Sequence, residues 1–170
     1  MPDSLAPALA QRPIRFYWED FVVGSGHTFG SMPVTREAAL AFARQFDPQP
    51  FHLDDHAAEG SLFGRLAVSG WHSCAMAMRM MCDDYLLESS SQGSPGIDKL
   101  RWMKPVFPGD TLHIRYTVLA ARVMQSRPHV GLVQLDWLMF NQHDEAVMSM
   151  QGWGMFGLRN PPAAGAGEPA

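Results

Sequence analysis

Cysteine is scarce in this chain: Cys74 and Cys82 are the only two among 170 residues. On one helix their separation corresponds to ~12 Å of axial rise, too far for a disulfide. Both read as buried thiols of a reducing compartment. Long apolar runs are missing as well. The most apolar stretch, Trp71 to Leu87, is interrupted by His72, Arg79, Asp83 and Asp84, which argues against a membrane span. No basic-then-apolar pattern opens the amino terminus, so a cytoplasmic location is expected. Nor is there an excess of positive charge. A net charge of −4 argues against general nucleic-acid binding. The balance is nevertheless uneven: residues 1–90 carry 6 basic and 11 acidic groups, and residues 91–170 carry 7 and 6. The carboxyl-terminal half is the better host for an anionic ligand.

A hydrophobic content of 46% over this length suits one domain with a real core, placed at residues 13–159. Residues 1–12 and 160–170 are too poor in core-forming side chains to order themselves. Thr35 is a candidate N-cap for a short helix through Phe46, with Phe42 and Phe46 stacked one turn apart on its inner face. Leu53 to Val68 reads as irregular, with one helical turn at Asp55 to Glu59. Ser69-Gly70 opens a long element from Trp71 to Leu87 that is apolar almost all round, which predicts burial on nearly all sides. Its methionines read as core filler, and His72, Arg79 and Asp83 share one narrow stripe.

After Gly93-Ser94-Pro95-Gly96 the period changes to two. Ile97, Leu100 and Trp102 mark one strand. Leu112, Ile114, Tyr116 and Val118 mark the next, and Val133, Leu135, Trp137 and Met139 a third. Asn141 to Glu145 is a hairpin connection into a fourth, from Ala146 to Phe156. Pro105 and Pro108-Gly109-Asp110 are expected to make the turn of the first strand pair. The order predicts an α+β domain in which an antiparallel sheet wraps around a long central helix.

The most informative segment is Asp47-Pro48-Gln49-Pro50-Phe51-His52. The residue before a proline disfavours the α region, so the helix should stop at Asp47. An acid and an imidazole then sit on a stiff loop that can aim both at one water molecule and divide a proton transfer between them. Alone, such a spacing reads first as a turn-capping Asp and an ordinary loop His; the context of the later elements reverses that.

In company with the later elements, it resembles the MaoC-like dehydratases, relatives of the (R)-specific enoyl-CoA hydratases with the hot dog fold. Their pattern of an Asp, an Asn-Pro, a His five residues after the Asp and a Gly step into the central helix reads here as Asp47, Gln49-Pro50, His52 and Ser69-Gly70. Arg101-Trp102-Met103-Lys104-Pro105-Val106-Phe107-Pro108-Gly109-Asp110 is similar to the strand and turn that follow that helix. Three positions depart from the pattern: Gln49 replaces Asn, Ser69 replaces a frequent His, and Met78 stands where a helix Ser is usual.

The resemblance implies a hydro-lyase that adds water to a 2-enoyl thioester, or removes it from a 3-hydroxyacyl thioester, through water held by Asp47 and His52. An unperturbed pKa near neutrality favours His52 as the base towards water and Asp47 as the partner in proton delivery, with the opposite division left open by the sequence. Backbone N–H groups of Gly70 and Trp71, at the positive end of a helix, would stabilise the oxyanion. Phe51 and Ser69 would line the substrate site. It further implies an acyl-CoA substrate, no cofactor beyond the coenzyme A the substrate carries, no metal, no nucleic-acid or membrane partner, and a homodimer or dimer of dimers.

Lys99, Arg101, Lys104, Arg122 and Arg127 are cationic candidates for the coenzyme A phosphates, none favoured over the others. His52 and His56 could face a metal if their segment were helical, but Pro50 favours a solvated acidic loop. A hot dog thioesterase using an acid such as Asp83, Asp84 or Glu88 and a non-catalytic acyl-thioester-binding subunit are the competing functions.

Overall fold

Five strands and one long helix form the framework of the structure, a computed structural model describing residues 12–162. The two expected tails lie almost wholly outside the described residues. In chain order the elements are β1 (Thr28–Pro33), α1 (Arg36–Phe46), α2 (Asp55–Glu59), α3 (Gly70–Asp84), β2 (Gly96–Trp102), β3 (Thr111–Val123), β4 (Val130–Phe140) and β5 (Ala146–Gly157). They form one sheet in the order β1-β3-β4-β5-β2, with every neighbouring pair antiparallel. Among the described residues, no helix is long and apolar enough to cross a membrane.

Alternation along the strands builds the inner face. Leu112, Ile114 and Val118 of β3, Val133, Leu135 and Met139 of β4, and Val147 and Met148 of β5 are almost fully buried. Met76, Met80 and Met81 of α3 pack into the same cluster. Unbranched thioether chains suit this position, because a helix laid over a twisted sheet leaves irregular gaps.

α3 is not buried on nearly all sides. His72, Ser73, Met76, Ala77, Met80 and Met81 form its inner face, whereas Trp71 and Met78 are 58% and 50% exposed. A sheet can cover only one side of a helix, so an apolar circumference leaves an apolar stripe outside. The helix also stops at Asp84, and Leu86–Glu88 forms a separate 3-10 turn. The stripe of His72, Arg79 and Asp83 divides along its length. His72 lies buried with its ring flat against Phe42, 4.8 Å between centroids, while Arg79 and Asp83 pair with each other in solvent at 2.8 Å.

α1 begins as expected, with the Thr35 hydroxyl accepting from the Ala38 N–H at 3.2 Å. Its inner face, however, is Ala39 and Ala43. Close approach to α3 requires small side chains there. Phe42 and Phe46 do meet, at 5.0 Å, but with their rings tilted by 48° rather than stacked, and on the flank, where Phe46 is 63% exposed.

The segment from Pro105 to Asp110 is no hairpin either. β2 pairs with β5, and β3 lies between β1 and β4, so the chain crosses from one edge of the sheet towards the other. Its backbone groups bond outward. Val106 C=O accepts from the Val68 N–H at 2.8 Å, and Val34 exchanges bonds of 2.8 Å with Gly109 and Asp110. Two prolines remove donors that a strand pair would need, and these lateral bonds seat the segment beside the loop that enters α3.

Candidate active site

Asp47 is the C-cap of α1, its N–H bonded to Ala43 C=O. The chain then folds back at once: Gln49 N–H bonds Asp47 C=O at 2.8 Å, and His52 N–H bonds Gln49 C=O at 2.9 Å, closing a 3-10 turn over Pro50–His52. The turn sets His52 Nε2 3.4 Å from Asp47 Oδ2. The imidazole is buried, 5% exposed, and its Nδ1 lies 2.7 Å from Ala67 C=O. A carbonyl oxygen can only accept, so Nδ1 carries the hydrogen and, in the neutral ring, Nε2 offers a lone pair towards Asp47.

Asp47 is held from both sides. Ser69 Oγ donates to Oδ2 at 2.7 Å and Gln49 Nε2 donates to Oδ1 at 2.7 Å. Burial alone would raise this carboxyl, but the Ser69 and Gln49 bonds and the nearby His52 outweigh it and hold Asp47 below its ordinary value. It therefore sits as a carboxylate. Two acceptors, Oδ2 and Nε2, then face one small volume, where a single water can donate a hydrogen to each.

The first turn of α3 forms the opposite wall. Ser69 caps it, its Oγ accepting from the Trp71 N–H at 3.2 Å while donating to Asp47. The Trp71 N–H is thus engaged, whereas no acceptor among the described residues meets the Gly70 N–H. Of the two expected oxyanion donors, Gly70 is the one left open. Its missing side chain has a steric cause: a Cβ there would lie 2.5 Å from Trp102 Cε2. Trp102, at the end of β2, covers this turn and donates its indole N–H to Gly70 C=O at 3.0 Å. Trp71 meets Trp102 edge-on at 5.3 Å.

These groups line a cleft of about 400 Å³. Asp47, His52, Phe51, Gly70 and the Trp71 side chain all reach it; buried Ser69 stands behind Asp47 and touches the cleft only through it. Phe63, Trp102 and Gln49 belong to the site without having been singled out. Gln49 lay inside the proline-bounded motif, and an amide two residues after an acid is a signal for a local bond. Phe63 and Trp102 looked like ordinary aromatics. His56 turns away, 98% exposed and 3.9 Å from Glu59, because the helix starts at Asp55, after His52. Asp83 and Asp84 bond Arg79 and His27, ~20 Å along α3 from Gly70.

A family model for the MaoC like domain matches residues 23–135. The chain belongs to the MaoC-like dehydratase family. A MaoC-like dehydratase of Rhodospirillum rubrum is 38% identical, with a TM-score of 0.79 over 86% of this chain and 99% of that one. A mesaconyl-CoA hydratase of Cereibacter sphaeroides is 41% identical over 63 residues, which cover 37% of this chain and 18% of that protein. The (R)-hydratase PhaJ1 of Pseudomonas aeruginosa shares the fold at 22% identity, with a TM-score of 0.66 over 84% of this chain and 86% of that one. The sheet wrapped around α3 is the hot dog fold of these MaoC-like proteins.

Ser69→Ala removes an Asp47 donor and a helix cap together, and is expected to cost about 1 kcal/mol of stability near neutrality. A carboxyl held below its unfolded value stabilises the fold above that value, and this contribution fades as pH falls through the folded value. The variant should therefore show a higher Asp47 pKa by carboxyl-carbon NMR and a smaller Asp47-linked loss of stability in acid.

Proposed function

We propose that this protein hydrates a 2-enoyl-CoA thioester, or dehydrates the corresponding 3-hydroxyacyl-CoA, with Asp47 and His52 as its catalytic pair. The observation that carries the reading is the 3.4 Å approach of Asp47 Oδ2 to a His52 ring whose other nitrogen is tied to Ala67 C=O. The likeness to the Cereibacter mesaconyl-CoA hydratase and the Pseudomonas (R)-hydratase supports the reaction class.

In the hydration direction, the thioester oxygen takes a hydrogen bond from the Gly70 N–H, where the helix dipole favours developing negative charge. Water held between Nε2 and the Asp47 carboxylate forms the new C–O bond at carbon 3. Nε2 accepts its proton, and the double-bond electrons pass into an enolate on the thioester. The imidazolium, 3.4 Å from a carboxylate, then returns that proton to carbon 2. Asp47, held as an anion, starts with no proton to deliver, so its role shifts from the sequence-based expectation of an acid to that of holding water and stabilising the imidazolium. No other cofactor enters the reaction.

The homodimer is proposed on the β2 edge of the sheet, one of its two edges. β2 pairs only with β5, leaving one row of its backbone groups unpaired. Ile97 at 49%, Met78 at 50% and Trp71 at 58% exposure lie beside that edge. An uncovered strand edge flanked by exposed apolar side chains favours strand addition, and a two-fold axis lets a second copy supply it. Light scattering should return the mass of two chains; the mass of one chain removes this part of the reading.

For the chemistry, a panel of 2-enoyl-CoAs followed at the enoyl thioester absorbance should show hydration by the wild-type protein. Asp47→Asn and His52→Ala should each fold and each lose about 10²- to 10⁴-fold in turnover. Unchanged turnover in either variant excludes the mechanism.

A further inference from the structure

The sheet register separates the cationic side chains into those near the cleft and those away from it. The cleft opens where Trp102 of β2 meets the start of β5, opposite Met148. Val130 of β4 faces Gly157 at the far end of β5, and Arg122 of β3 faces Leu132. Arg122 and the following Arg127 therefore stand at the other end of the sheet. On β2, Trp102 turns towards α3, so the alternation of a strand turns Arg101 and Lys99 away from the helix side near the cleft. Lys104 does line the cleft, but its ammonium is neutralised by Glu145 at 2.6 Å.

Arg65 is different. It lies in the loop between Phe63 and Val68, both at the cleft, and its guanidinium carbon sits 3.7 Å from the centre of the Phe107 ring. Phe107 follows Val106, another cleft residue, and the two segments are joined by the Val68–Val106 bond of 2.8 Å. Both supports are anchored. Leu66, Ala67 and Val68 are buried after Arg65, and the Phe107 N–H bonds the Asp110 carboxylate at 2.8 Å. Stacking on a ring fixes the guanidinium plane and leaves its N–H edge free to donate. Arg65 is exposed, and no carboxylate among the described residues pairs with it. The result is a preorganised, uncompensated cation on the rim of the cleft.

We propose that Arg65 is an anion-binding residue that receives a phosphate of the coenzyme A portion of the substrate. Arginine suits this task because its fork of N–H groups matches phosphate oxygens two at a time. The inference rests on the thioester reading above but concerns the carrier and not the reacting acyl group, so it can be tested without turnover. Asp47 and His52 would work at the cleft floor while Arg65 holds the carrier outside it.

Calorimetric titration of the wild-type protein and Arg65→Gln with free coenzyme A, dephospho-coenzyme A and pantetheine provides the test. Free coenzyme A carries no acyl group, so any effect belongs to the carrier, and the two truncated ligands divide it among the carrier's parts. The variant should bind coenzyme A about tenfold more weakly and pantetheine unchanged. If dephospho-coenzyme A binds the wild type as well as coenzyme A does, Arg65 holds the pyrophosphate; if it binds only as well as coenzyme A binds the variant, Arg65 holds the ribose phosphate. Both results support the proposal. Equal coenzyme A affinity in both proteins, an equal loss for pantetheine, or no binding of coenzyme A by the wild type overturns it. Hydration assays on the same proteins keep the two readings apart. Arg65-dependent binding without hydration counts against the hydratase alone, and hydration with Arg65-independent binding counts against this site alone.

Discussion

Two tethers govern everything at the site. The Ala67 carbonyl takes the Nδ1 hydrogen of His52, and the Ser69 hydroxyl takes hold of the Asp47 carboxylate. Both anchors belong to the short stretch that leads into α3, and both tethered side chains belong to the proline-rich bend after α1. The tethers fasten bend to helix and fix which nitrogen of the imidazole can act as a base. Released from Ala67, the ring could turn its N–H towards Asp47 and lose the lone pair that the reaction requires.

Holding a carboxylate largely out of water is costly unless donors compensate it. Here Ser69 and Gln49 supply two short bonds, and the imidazole adds a third favourable neighbour. The charge is kept because it is fully partnered, and it remains available because its Oδ2 still faces the cleft beside Nε2. Trp102 performs a comparable service on the other wall. Its indole bonds Gly70 C=O and fills the space a Cβ would occupy, so the turn bearing the open N–H is pinned from β2 as well as from Asp47 through Ser69. Catalytic geometry of this kind depends on supports whose own positions are fixed by packing.

Much of this was legible in the residues. The alternating strands, the long helix and the order of elements gave an α+β sheet around a helix, and the two prolines made the Asp47–His52 loop conspicuous. What escaped has physical reasons. Turn chemistry at Pro108-Gly109-Asp110 announces a reversal but not which strand will be the neighbour, so the crossover from β2 to β3 was misread as a hairpin. Apolar periodicity says that α3 has no polar face, not that something covers every face, hence the exposed Trp71 and Met78. Trp102 meets Gly70 across 32 residues of sequence, a contact no local pattern records. The sequence points to Gly70 as the step into the helix and as an N–H donor, but not to its closeness to Trp102, which is what leaves no room for a Cβ.

In the proposed reaction one water, served by two groups on the same side of the cleft, supplies both the hydroxyl and the proton. Hydration of an (E)-2-enoyl-CoA in deuterium oxide tests it directly, with the configuration at carbon 2 of the product read by NMR. The account predicts that deuterium and hydroxyl enter on the same face of the double bond. Delivery to opposite faces would contradict it, because that outcome needs an acid across the cleft from Asp47 and His52.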